Sequence, residues 1–446
     1  MLSLKKERFY FIIFSLVSGI SYFLIAYSLK RENTIYLFSV FTLLASSYYL
    51  ILLRVDLLTE NYNDFVIVAF IFRLLFVLSV PKLSDDFYRF IWDGRLIQEG
   101  LNPFGYLPSQ IVKEHLLAGS NNIELYQKMN SPNYYSVYPP ILQLVFFISA
   151  KLSFGYNMIT IFNLRFFILL AEFGTFIFLK KILDFLKFNK IKIFFYLLNP
   201  LVIIELVGNT HFEAIMIFFL TASLYYLVIS KNSFSAIFIA LAIATKMIPL
   251  IFLPLIVRKI GWKKGLIYAT FSLTIVIISF LPFIDKHLIS NVGDSIGLYF
   301  QKFEFNASIY YLSRELGFRI VGYNAISIIG KVLPVISTCL ILFLSFVVKG
   351  NDSWQGFFKR GLIIIFIYYL FSLVVHPWYV SMLVLLSVFV ESRFAILWSI
   401  LIFATYFAYN TIPYKESLWV IAIEYALVIL FFLYENKKLK AVYVFN

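Results

Sequence analysis

KLSDDFYRFIWDGRLIQEGLNPFGYLP, residues 82–108, begins where a long apolar run stops. It packs Asp85, Asp86, Arg89, Trp92, Asp93 and Arg95 into eleven residues of a chain that is otherwise overwhelmingly apolar. Over 446 residues the chain is 61% hydrophobic and 14% charged, with a mean hydropathy of +0.86. Soluble domains average about 45–50% apolar and about 25% charged. Uncharged runs of roughly 18 residues or more mark transmembrane helices, and they recur on both sides of this stretch. The polar island is therefore a loop between spans. The fold class is all-α: a polytopic transmembrane helical bundle with juxtamembrane helices on its outer face.

Phe9–Leu29 and Ile35–Leu53 are uncharged and long enough to span, and a third run, about 65–80, carries Arg73 in its middle. The positive-inside rule places Lys5, Lys6 and Arg8 on the cytoplasmic side, so three crossings put the residue-82 loop outside. Lys82 to Val137 holds five basic and six acidic residues, close to balance in a chain of net charge +14. Lys180, Lys181, Lys187, Lys190 and Lys192 belong inside, so Pro139–Phe154 is expected to lie on or dip into the outer face without crossing. Phe194–Gly208 goes out and Glu213–Ile229 returns. Phe234–Val257, interrupted by Lys246 and Pro249, reads as a broken hairpin, a form tolerated where it lines a cavity. Six more spans follow around and after a second outer loop, Ile284–Gly322, giving about 12–14 crossings with both termini cytoplasmic. One integral membrane domain, 1–446, is expected. It comprises two spans in 1–60, a first outer loop at 81–140 and a second at 284–322. The single cysteine, Cys339, excludes an intrachain disulfide and a Cys-based metal site. Lysines confined to short loops exclude a nucleic-acid-binding face.

A paired carboxylate, Asp85–Asp86, at the outer end of a span suits a general base or a metal ligand. It equally suits an acidic first turn complementing a helix dipole, with Ser84 as cap. Arg89 falls three residues after Asp86, placed to orient that carboxylate or to meet a phosphate. Asp93 beside Trp92 is placed to bind sugar hydroxyls next to a stacking ring, while Asn102–Pro103 reads as a turn. Asn209, His211 and Glu213 form the next polar island, where hydrogen bonding to a sugar or phosphate is favoured over a two-ligand metal site. His376-Pro377-Trp378 breaks another pair of spans. Charges within spans are functional suspects by default. Arg165 and Glu172 share a helix face and read as a structural clamp, whereas Lys246, beside Pro249, reads as a lipid-phosphate contact. Arg73, Glu205, Lys331 and Glu424 are the others.

Several pieces of the chain then match a known pattern in order. They are SDDFYRFIWDG (84–94), GLNPF (100–104), VYPPILQ (137–143), NPLVIIELVGNTHFEA (199–214), ATKMIPLIFLPL (244–255), FEFNASIYYL (303–312) and HPWYVSMLVLL (376–386). Together they resemble the bacterial polyprenyl-phosphate-mannose-dependent mannosyltransferases of the GT-C superfamily. The resemblance implies an inverting transfer of a sugar, foremost mannose, from a polyprenyl-phosphate donor to a glycan or glycolipid acceptor. It places the site on the outer, periplasmic face of the bacterial cytoplasmic membrane. Asp86 or Asp85 is the expected base, and Arg89, Lys246, Arg314 or Arg319 the expected partner of the leaving phosphate. Tyr138 and Asn306, in two of the matching pieces, join Trp92, Asp93, Asn209, His211, Glu213, His376 and Trp378 as expected substrate contacts. No cofactor is required, and a divalent cation is optional. The loop follows the third span where the superfamily usually has it after the first, and no large C-terminal soluble domain is expected. A flippase of lipid-linked sugars, and a polymerase or ligase using lipid-diphosphate donors, are the competing readings.

Overall fold

The computed structural model describes residues 2–117, 119–301, 303–348, 352–411 and 414–444. The extreme ends of the expected 1–446 domain lie outside them. The regular structure among the described residues is all helical, apart from a single isolated bridge between Phe305 and Val374. The chain divides into two compact units. One comprises Met1–Phe76, Leu183–Glu205 and Phe303–Asn446, the other Val77–Ile182 and Leu206–Lys302. The units interleave along the chain, so no linker marks their boundary.

Among the described residues five helices are long and apolar enough to cross a membrane: Glu7–Tyr27, Thr34–Leu52, Trp262–Phe283, Ile326–Phe346 and Leu418–Lys437. Between 17% and 33% of their most apolar windows is buried, so most of their side chains are left to face lipid. The protein is an integral membrane protein. A sixth crossing is available if Lys190–Leu197 and Pro200–Gly208, bent by 49°, form one broken span. The bend has a local cause. Asn199 turns the chain and caps the next helix, its Oδ1 accepting from the Val202 backbone N–H at 3.2 Å, with Pro200 at the first helical position.

Several other apolar runs expected to cross form shorter helices, among them Glu213–Val228, Asn232–Thr245 and Phe394–Asn410, and the Pro140–Lys151 helix, expected not to cross, is short as well. At 1.5 Å per residue, a helix of 10–17 residues falls short of a hydrocarbon core about 30 Å thick. Asn232–Thr245 stops where the sequence places a break: Lys246 is extended (φ −154°, ψ 137°) and Pro249 opens a tight turn. The segments expected as outer loops are also more ordered than a loop reading implies. The first holds helices Asp86–Gln98, Pro108–Lys113 and Ser120–Lys128, and the second holds Leu288–Gln301 and Ile309–Val321.

Charges within the apolar segments are held by structural partners. In the first unit Arg73 donates to the carbonyls of Ala69 (2.9 Å) and Leu197 (2.7 Å). Glu205 accepts from the Tyr406 hydroxyl at 2.8 Å. Glu424 accepts from Trp398 Nε1 at 2.7 Å and from Asn306 Nδ2 at 3.1 Å. In the second unit Arg165 donates to the carbonyls of Val77, Ser79, Val207 and Gly208 at 2.7–3.1 Å. It thereby ties the segment leading into the Asp86–Gln98 helix to the turn before Asn209. Lys331 is exposed on its helix.

Candidate active site

The helix Asp86–Gln98 is largely buried and packs on an apolar wall. The Asp86 backbone N–H donates to Ser84 Oγ at 3.3 Å, so Ser84 does contribute to capping. Phe90 stacks on Phe146 of Pro140–Lys151 with ring centroids 4.9 Å apart. Gly94 makes the close approach possible: a Cβ there would lie 2.3 Å from the Phe146 carbonyl oxygen. That requirement explains the glycine in the middle of a helix, a position where it otherwise costs stability.

The adjoining face carries Asp86, Arg89 and Asp93 at i, i+3 and i+7, which puts them in one row. Here the structure corrects three expectations. Arg89 pairs with Asp93 (Nε to Oδ1, 2.7 Å), not with Asp86, and its Nη1 donates to the carbonyls of Ser131 (3.0 Å) and Tyr134 (2.8 Å). Asp93 Oδ2 accepts from Ser136 Oγ at 2.6 Å and from Gln143 Nε2 at 3.2 Å. The pair is 2% and 0% exposed, so neither charge is open to a sugar or a phosphate. Trp92 is fully buried, its ring 6.3 Å from that of Tyr126, and belongs to the core instead of to a stacking platform. Tyr138 packs edge-on against Phe90 and Phe146 and is half-buried.

Asp86 differs from Asp93 in being open. Its side chain is 23% exposed. Its Oδ1 accepts from Asn130 Nδ2 at 2.8 Å, and its Oδ2 lies 3.9 Å from His211 Nε2. His211 Nε2 also lies 3.3 Å from Ser84 Oγ, and Asn209 Oδ1 accepts from the Leu83 backbone N–H at 3.4 Å. The Asn209–His211 turn is thus knitted to residues 83–86. Between them Thr210 has φ +62°, a left-handed conformation unfavourable for a β-branched residue and typical of strained functional turns. Two residues on, buried Glu213 forms an ion pair with Lys246, which is 28% exposed at the helix break. Asp85 is half-exposed at the mouth of the Asp86–Gln98 helix. The second unit therefore gathers Asp85, Asp86, Asn209, His211, Glu213 and Lys246 on two adjoining turns and one broken helix. Among the described residues, no three His, Cys, Asp or Glu side chains come close enough together to hold a metal ion.

Asn306, His376 and Trp378 lie in the other unit. Asn306 is buried at φ +44°, its backbone N–H donating to Glu416 Oε1 at 2.6 Å. His376 stacks on Trp378 at 4.4 Å and sits beside Phe305 at 4.9 Å. Arg314, an expected phosphate partner, is paired with Glu304, and Arg319 with Glu315 at 3.1 Å.

Sequence reasoning missed Asn130, Ser136 and Gln143. Gln143 falls inside VYPPILQ, so a polar residue in an apolar helix was its signal. Asn130 carries none, since it sits in a polar turn like any other.

The family model described as alpha-(1->6)-mannopyranosyltransferase, N-terminal domain (MptA_B family), matches residues 18–260, more than half of the chain. The match takes in the gathered residues from Asp85 to Lys246 and stops short of Asn306, His376 and Trp378. No curated protein and no solved structure matches the chain.

Proposed function

The chain belongs to the alpha-(1->6)-mannopyranosyltransferase family and is a glycosyltransferase that moves mannose from a sugar donor to an acceptor, and we propose that it does so by inverting displacement from a polyprenyl-phosphate donor at the outer face of the membrane. The observation that carries this reading is the Asp86 carboxylate, open to solution and held between Asn130 and His211 at the start of a helix. An ionised carboxylate accepts hydrogen bonds only, so it receives the proton of an acceptor hydroxyl as that oxygen attacks the anomeric carbon. The phosphate leaves from the opposite face of the sugar. Lys246, a partly exposed ammonium at a helix break, supplies the cation that stabilises the departing charge. A preorganised carboxylate and cation of this kind are what a displacement at an already activated, phosphate-bearing carbon needs.

The acceptor is a glycan or glycolipid, and the apolar outer surface of the spans gives the donor's lipid a sideways route from the bilayer. The test supplies the enzyme in vesicles with labelled mannose as a β-linked polyprenyl monophosphate, a polyprenyl diphosphate or a nucleotide sugar, each with an alkyl mannoside acceptor. Label passing from the monophosphate alone, into an α-linked product, is the expected result. Transfer from the nucleotide sugar, or a retained β linkage, contradicts the reading.

A further inference from the structure

We propose that Asn130 is a positioning residue for Asp86, carried on a strap, residues 129–136, that the polar face of the Asp86–Gln98 helix ties down. The inference rests on the reading of Asp86 as the base and extends it to residues outside that reading. The row Asp86, Arg89, Asp93 engages the strap in sequence. Asn130 Nδ2 donates to Asp86 Oδ1 at 2.8 Å. One turn along, Arg89 Nη1 donates to the carbonyls of Ser131 and Tyr134 at 3.0 and 2.8 Å. One turn further, Ser136 Oγ donates to Asp93 Oδ2 at 2.6 Å, and Gln143 Nε2 donates to Ser136 Oγ at 2.7 Å.

The Asp93–Ser136 link is buried, the two Arg89 links are half-buried, and the Arg89–Asp93 ion pair between them is almost wholly shielded from water. At the near end Met129 is buried, and the Lys128 ammonium lies 5.9 Å from the Tyr88 ring. The strap is therefore held at both ends while Asn130 itself is exposed. Its amide N–H occupies one oxygen of the carboxylate and directs the other, Oδ2, toward the His211 side. Hydrogen-bond reach to an acceptor proton spans only about 2.6–3.2 Å, and reactive geometry is lost over about 1 Å. A carboxylate left free to rotate would forfeit that alignment. The charged residues that look like substrate ligands in the sequence act here through the strap, at one remove from the reacting atoms.

The test uses the full-length enzyme in vesicles with polyprenyl-phosphate mannose and an alkyl mannoside. It compares wild type, Asn130→Ala, Asn130→Asp and Asp86→Asn for kcat, KM and thermal unfolding. Asn130→Asp keeps the shape of the side chain, removes the donated hydrogen bond and sets a second carboxylate against Asp86, so beside Asn130→Ala it separates the loss of the hydrogen bond from the loss of packing. The expected result is a kcat lower by about 10- to 100-fold in both Asn130 variants, with KM for the donor within about twofold and unfolding unchanged. Wild-type kcat in Asn130→Ala or Asn130→Asp, with Asp86→Asn inactive, overturns the positioning role and leaves the base assignment standing. Wild-type kcat in Asp86→Asn overturns the base assignment, and the role of Asn130 with it.

Discussion

Arg89 and Asp93 show how far a single residue type can be read. In the sequence they are two more charges in a loop rich in them, as well placed for a phosphate or a sugar as Asp86. In the fold they are a pair shielded from water, and their spacing of four along a helix was the visible sign of it. Burial separates them from Asp86, and burial depends on residues 129–143 closing over the helix, contacts that no local pattern announces. Trp92 was misread for the same reason: an aromatic beside an acid suits a sugar platform and a core equally well. The prediction at this scale is structural. Arg89→Ala leaves Asp93 buried without its counter-ion, which costs about 3–5 kcal/mol and appears as a large fall in unfolding temperature. An unchanged unfolding temperature with weakened donor binding would return Arg89 to the substrate.

Elements were legible where local chemistry dominates. Lys246 and Pro249 marked a broken helix, because caps and breaks are set by neighbours within a turn, whereas the break at Asn199–Pro200 fell inside a run read as one span, Phe194–Gly208. Helix lengths were less legible. Apolar composition continues across several turns that the backbone interrupts, so runs expected to span fold as helices of 10–17 residues packed within the protein. Gly94 gives a direct check on helix packing. Gly94→Ala, which helix propensity alone favours by about 1 kcal/mol, meets the Phe146 carbonyl and is expected to destabilise by about 1–3 kcal/mol, measured by thermal unfolding. A second check lies in the other unit. Burial pushes the Glu416 carboxyl above the ordinary carboxylate range, against the hydrogen bonds from Tyr311 and the Asn306 backbone that favour its ionised form. A carboxyl raised on folding stabilises the fold below its unfolded pKa of about 4.3. That contribution is lost as pH rises through the raised folded value. The unfolding temperature of wild type relative to Glu416→Gln should therefore fall as pH is raised from about 4 toward neutrality. A flat difference would show that Glu416 ionises as freely in the fold as in the unfolded chain.

The whole molecule was legible as a class and obscure as an arrangement. Apolar runs and scarce charge declare an integral membrane protein of helices, and the ordered set of short pieces pointed to the mannosyltransferase family that the family match then established. The division into two units was hidden because each unit is assembled from separated parts of the chain. The loop charges make the residue-82 loop the expected outer side, and labelling tests it. In a Cys339→Ala background, a cysteine replacing exposed Glu114 should react with an impermeant maleimide in intact cells. One replacing exposed Lys231 should react only after the cells are opened, and the reverse pattern would turn the site inward. The central claim, that Asp86 is the base of a lipid-phosphate-dependent mannosyl transfer, is tested most directly by single-turnover transfer from polyprenyl-phosphate mannose in Asp86→Asn. The expected rate is lower by about 10²- to 10⁴-fold, with Asp85→Asn within about tenfold of wild type, and a wild-type rate in Asp86→Asn would show that Asp86 does not take the proton.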